Sequence, residues 1–140
     1  MINQTENPLR GFAARQVAME SLASLPGYDW CGIYRLEGDT LVLDAYVGEA
    51  TDHTRIPVGV GVCGSAVSEN RNKNIADVRA EANYLACSLK TRSEIVVLIR
   101  RGEEVLGQID IDSHQANRFT DEDETLLTKM AEMLAERWDD

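Results

Sequence analysis

The sequence predicts an α+β fold, an antiparallel sheet with N- and C-terminal helices on one face and a loop-rich ligand pocket on the other. Two apolar stretches, Trp30 to Val47 and Ile95 to Ile111, each break at a short polar turn as hairpins do. Helix-like segments stand at both ends of the chain. Between the hairpins lies a turn-rich middle that keeps neither the helical nor the strand period.

Asn7-Pro8 is a helix-start signal, with Asn as N-cap and Pro in the first turn. Phe12, Val17, Met19, Leu22 and Leu25 then supply a loose apolar stripe that Pro26-Gly27 ends. Trp30 to Leu36 reads as a strand, and Glu37-Gly38-Asp39 turns it into a second strand from Thr40 to Val47. Residues 48–61 are looser. Val62 to Val67 fits a short helix, Lys73 to Val78 a short strand, and 79–92 a long irregular loop carrying Cys87. Loops of that length in compact domains are often functional.

Ile95 to Arg101 and Val105 to Ile111 form the second hairpin around Gly102-Glu103. Thr120, with Asp123 three residues on, approximates a capping box before a final helix to about Arg137. Leu126, Leu127, Met130, Met133 and Leu134 are its expected buried face.

At 140 residues the chain suits a single domain, 1–140. A formal net charge of -10 argues against nucleic acid and anionic membrane surfaces as partners. No apolar run approaches the roughly 20 residues of a membrane span, and the N-terminus lacks a signal-peptide pattern, so the cytoplasm is the expected compartment. Three cysteines, Cys31, Cys63 and Cys87, make no Cys-x-x-Cys pair and have only His53 and His114 to supplement them. No metal site and no disulfide framework are expected from that spacing.

Chemistry concentrates between Gly61 and Ser113. Glu94 and the pair Asp110 and Asp112 sit in very apolar strands, where a carboxylate is expensive unless it is paired, coordinated or protonated. Strand alternation puts Gln108, Asp110 and Asp112 on one face, the two aspartates about 7 Å apart at Cα. A three-residue loop, 102–104, sets Glu94 opposite Asp112 and gathers all three acids on that face; a two-residue loop sends Glu94 to the other face. The first register is favoured because it collects the polar side chains into one pocket. The same alternation places Trp30 and Tyr34 together as an aromatic wall beside an acidic floor. Such a pocket suits a ligand with an apolar end and a cationic amine. Close carboxyls cannot all ionise cheaply, so one of them should hold a proton near neutral pH.

Thr54-Arg55-Ile56-Pro57, Gly59-Val60-Gly61-Val62-Cys63-Gly64-Ser65-Ala66, Ala86-Cys87, Ser93-Glu94-Ile95-Val96-Val97 and Ile109-Asp110-Ile111-Asp112-Ser113 resemble a GAF domain. More narrowly they are similar to the free methionine-(R)-sulfoxide reductases, which are single GAF domains. The resemblance implies Cys87 as nucleophile, Glu94, Asp110 and Asp112 as acids holding the amine and sulfoxide, and Trp30 and Tyr34 around the methyl group. It implies no bound cofactor. Thioredoxin or a comparable dithiol would restore a Cys87 sulfenic acid.

Where the family usually carries its resolving cysteine, before Thr-Arg-Ile-Pro, this chain has His53. Cys63 then substitutes, or an external thiol acts directly, or the domain is a non-catalytic small-molecule sensor. Asn83-Tyr84-Leu85 also replaces a common Gly-His-Ile. An interaction module that forms a homodimer through its terminal helices is a third reading. Cys31 reads as core, and Cys63, beside two glycines, also fits simple close packing.

Overall fold

The computed structural model describes residues 9–81 and 89–139. Its elements run α1 (Gly11–Ala23), β1 (Trp30–Glu37), β2 (Thr40–Val47), β3 (Arg55–Pro57), α2 (Gly61–Glu69), β4 (Lys73–Ile75), β5 (Ser93–Arg101), β6 (Glu104–Ser113) and α3 (Asp121–Glu136). The six strands form one antiparallel sheet in the order β3-β2-β1-β6-β5-β4. The two long hairpins therefore meet at its centre, where β1 lies beside β6.

Period-two alternation divides the apolar residues between two cores. Cys31, Ile33, Ile95, Val97, Ile99, Ile109 and Ile111 face α1 and α3. Trp30, Tyr34, Val96 and Leu98 face the other way, toward α2, whose Val62, Cys63 and Ala66 close over them. As expected, the terminal helices share one face; the opposite one is covered by α2.

Several boundaries differ from the sequence reading. α1 begins at Gly11 behind Arg10, and Asn7-Pro8 lies outside the described residues. Its buried face is Ala14, Arg15, Ala18, Met19 and Leu22, while Phe12 and Val17 point to solvent. The small residues win because they let α1 approach the sheet closely. On α3, Leu127, Ala131, Leu134 and Ala135 are buried; Leu126 is exposed, and Met130 and Met133 pack at the margin. β3 adds a short edge strand where a loose segment was expected, because Leu41 pairs with Ile56. β4 stops at Ile75, and Val78 enters a short 3₁₀ turn capped by Asp77.

Buried Arg15 is not legible as a core residue. Its Nε donates to Asp44 at 2.6 Å and its Nη1 to the Trp138 carbonyl at 2.8 Å, while its guanidinium lies over the Trp138 ring. Pairing and stacking offset the desolvation of the charge, and they pin the end of the chain to α1 and β2. At the start of α3 the capping box is present, Thr120 and Asp123 satisfying each other's backbone N–H groups.

The β5–β6 hairpin settles the register question in an unexpected way. Arg101 pairs with Glu104, so the loop is the two-residue Gly102-Glu103, not the three-residue loop expected. Gly102 takes φ +64°, a turn conformation glycine adopts at little cost. That loop alone would turn Glu94 away. A bulge intervenes: Ile99 pairs with Gly107 but Arg100 with Val105, leaving Leu106 as the extra residue on β6. Beyond the bulge the register shifts by one, and Glu94 stands opposite Asp112 as favoured.

Among the described residues, no helix is long and apolar enough to cross a membrane.

Candidate active site

Three central strands lay out the floor by register alone. Trp30, Asp112 and Glu94 form one cross-strand row; Gly32, Asp110 and Val96 the next; Tyr34, Gln108 and Leu98 the third. All these side-chain positions face α2. Glu94, Asp110 and Asp112 are 3%, 0% and 1% exposed, so three carboxyls share one nearly dry surface. The basic residues nearest Glu94 in sequence pair elsewhere, Arg92 with Asp77 and Arg101 with Asp139.

α2 supplies the roof. Cys63, in its first turn, brings its Sγ to 3.8 Å from Glu94 Oε2, and the ligand atoms of Cys63, Glu94 and Asp110 all lie within 4.8 Å of one another. Gln108 Nε2 donates to the Cys63 carbonyl at 3.0 Å and ties that turn to the floor. Gly64 has to be small, since a Cβ there would press on the Pro57 carbonyl and the Gly59 backbone. Burial pushes the Asp110 carboxyl above its ordinary value, with the neighbouring Glu94 and Cys63 side chains acting the other way. A carboxyl so placed holds its proton to a higher pH than an exposed one.

The aromatic wall is better built than the sequence indicated. Trp30 stacks on Tyr46 with centroids 5.7 Å apart and leans on Tyr34 at 6.4 Å. Its Nε1 donates to the Glu49 carbonyl at 3.0 Å. The ring covers Gly32, where any Cβ would collide with it. Tyr34 is fully buried, and its hydroxyl donates to the His53 carbonyl at 2.8 Å, fastening the segment that leads into β3. Tyr46 and Gln108 are the site residues whose roles sequence reasoning missed. Alternation put Gln108 on the correct face, and its amide contact depends on α2. Tyr46 reads only as a strand residue until the β1–β2 pairing is known.

Cys31 is a core thiol on the opposite face, pushed up to about 12 by burial and then by Asp110, Asp112 and Asp29, and is inert at neutral pH. Cys87 lies outside the described residues. The structure thus brings together Trp30, Tyr34, Cys63, Glu94, Asp110 and Asp112. An aromatic wall, an acidic floor and an adjoining thiol are together suited to a small amphiphilic cation.

The GAF domain family model matches residues 13–138. The chain is 43% identical over 110 residues to the free methionine-R-sulfoxide reductase of Escherichia coli, a match covering 79% of this chain and 66% of that protein. It also resembles a type II free methionine-R-sulfoxide reductase from Thermoplasma acidophilum. That structure matches with TM-score 0.86 and 44% identity, over 90% of this chain and 92% of the other. A third match is the Neisseria meningitidis free methionine-R-sulfoxide reductase in complex with its substrate. Its TM-score is 0.86 at 33% identity, over 91% and 77% of the two chains.

Proposed function

The chain belongs to the GAF domain family, and on that footing we propose that it reduces free methionine-(R)-sulfoxide to methionine. The observation that carries this reading is the shared floor of Glu94, Asp110 and Asp112 beside Trp30 and Tyr34, in a chain 44% identical to the Thermoplasma reductase over 92% of that chain. The three acids match an ammonium group and a sulfoxide oxygen. The aromatic wall matches a methyl thioether.

In this mechanism the Cys87 thiolate attacks the sulfoxide sulfur. Asp110 gives its proton to the sulfoxide oxygen, and the hydroxyl so formed passes to the Cys87 sulfur as the sulfur–oxygen bond and the new sulfur–sulfur bond both break. Methionine leaves, reduced by two electrons, and Cys87 is oxidised by two electrons to a sulfenic acid. Cys63 condenses with it, expelling water and forming a disulfide, and a dithiol such as thioredoxin reduces that bond. Support for Cys63 as the resolving thiol comes from its contact with Glu94 and its place over the acidic floor. The role of Cys87 rests on the family resemblance. No cofactor is required, and such chemistry belongs in a reducing compartment, the cytoplasm.

The test supplies free L-methionine-(R)-sulfoxide with dithiothreitol, then with thioredoxin, thioredoxin reductase and NADPH, and measures methionine. Turnover abolished by Cys87→Ser is expected. Cys63→Ser should retain activity with dithiothreitol and lose it with thioredoxin. No turnover with either reductant rejects the reading in favour of a non-catalytic ligand-binding domain.

A further inference from the structure

The cysteine spacing shows no metal motif, yet folding assembles one kind of donor set that spacing cannot reveal. Cys63 comes from α2, Glu94 from β5 and Asp110 from β6, and one ligand atom of each lies within 4.8 Å of the other two. All three are buried, at 5%, 3% and 0% exposure. A tetrahedral zinc ion, with bonds of about 2.3 Å to sulfur and about 2.0–2.2 Å to oxygen, needs ligand atoms about 3.3–3.7 Å apart. The Cys63–Glu94 separation of 3.8 Å already nearly meets this, and no edge needs to close by more than about 1 Å.

A second observation, independent of the acids, points to a ligand. Gln108 is fully buried, and while its amide nitrogen donates to the Cys63 carbonyl, its Oε1 has no partner among the described residues. A buried amide oxygen without a donor is costly. Its amide is held against the Cys63 backbone, on the same sheet face as Glu94 and Asp110, so this oxygen is left beside the thiol-bearing turn.

We propose that the reduced protein binds one borderline-soft divalent cation, zinc in kind, through Cys63, Glu94 and Asp110 with Gln108 behind them. Two carboxylates and a thiolate bring three negative charges, which a divalent cation reduces to one. The thiolate favours zinc and cobalt over magnesium and calcium. Binding displaces the thiol and carboxyl protons, so it tightens as pH rises. The occupied site covers the acidic floor, so the cation excludes an amine-bearing ligand and holds Cys63 out of thiol exchange.

Reduced, metal-free protein is titrated with Co²⁺ under anaerobic conditions and read by its thiolate-to-cobalt charge-transfer band. No turnover is needed, so failure here is distinguishable from failure of the reductase reading. A band of one-to-one stoichiometry is expected, displaced by Zn²⁺ and unaffected by excess Mg²⁺. It should disappear in Cys63→Ser and persist in Cys87→Ser, with both variants checked for native circular dichroism. Glu94→Gln should keep the band but weaken binding by at least about tenfold. Absence of the band, its survival in Cys63→Ser, or unchanged affinity in Glu94→Gln would each overturn the proposal.

Discussion

Gln108 holds Cys63 from beneath: its Nε2 donates to the Cys63 carbonyl at 3.0 Å, joining the middle of the sheet to the first turn of α2. The same side chain leaves Oε1 buried without a partner among the described residues. Gln108→Leu therefore loses a hydrogen bond worth about 0.5–1.5 kcal/mol and sheds an unsatisfied acceptor costing about as much. Urea midpoints should shift by less than about 1 kcal/mol, while thioredoxin-supported kcat/KM falls at least about tenfold as the thiol turn loosens. A large stability loss with unchanged kinetics would mark Gln108 as a brace alone.

Asp110 sets the pH response. Burial holds its proton on above the ordinary value of 3.8. In the unfolded chain this carboxyl ionises near pH 4, so its stabilising contribution is complete below about pH 4. It is then lost as pH rises through the higher folded value. Asp110→Asn cannot ionise and should gain on wild type as pH goes from 4 to 8, in urea denaturation across that range. The same variant cannot donate a proton, and its kcat/KM should fall by about 10²–10⁴. A wild-type-to-variant gap that is flat with pH would contradict the retained proton.

Gly32 is small because Trp30 lies on it. Its backbone is ordinary extended strand, so the penalty in Gly32→Ala is steric. Overpacking of this kind costs about 1–3 kcal/mol. The displaced indole should also lose its stacking on Tyr46 and its bond to the Glu49 carbonyl. A shift in tryptophan emission and a raised KM check this together.

Thr120 is the contrasting case. Its hydroxyl caps α3, on the sheet face opposite the site. Thr120→Ala should cost about 1 kcal/mol, within the usual 0.5–2 for a lost cap, and leave KM unchanged.

Much of this was legible because strand alternation is a strict rule. Period two alone puts Trp30 with Tyr34 and Asp110 with Asp112; the β1–β6 register then sets the two pairs on one face. The capping box at Thr120 and Asp123 is likewise local chemistry. What escaped depended on a second element arriving. Phe12 and Val17 fit a helical stripe as well as Ala14 and Ala18 do, and only the tight approach of α1 to the sheet selects the alanines. Arg15 reads as a surface cation until Asp44 and Trp138 enclose it. The contact of Cys63 with Glu94 spans 31 residues and rests on how α2 seats, which no spacing in the chain encodes.

The spare residue at Leu106 gives the hairpin tip slack in its length. Removing one residue between Arg100 and Gly107 takes up the two-against-one mismatch and leaves Ile99 opposite Gly107, so Glu94 keeps its place across from Asp112. The tip can therefore shorten by one codon without disturbing the acidic floor, whereas a deletion nearer Glu94, past the bulge, has no such reserve and would turn that carboxyl toward the terminal helices.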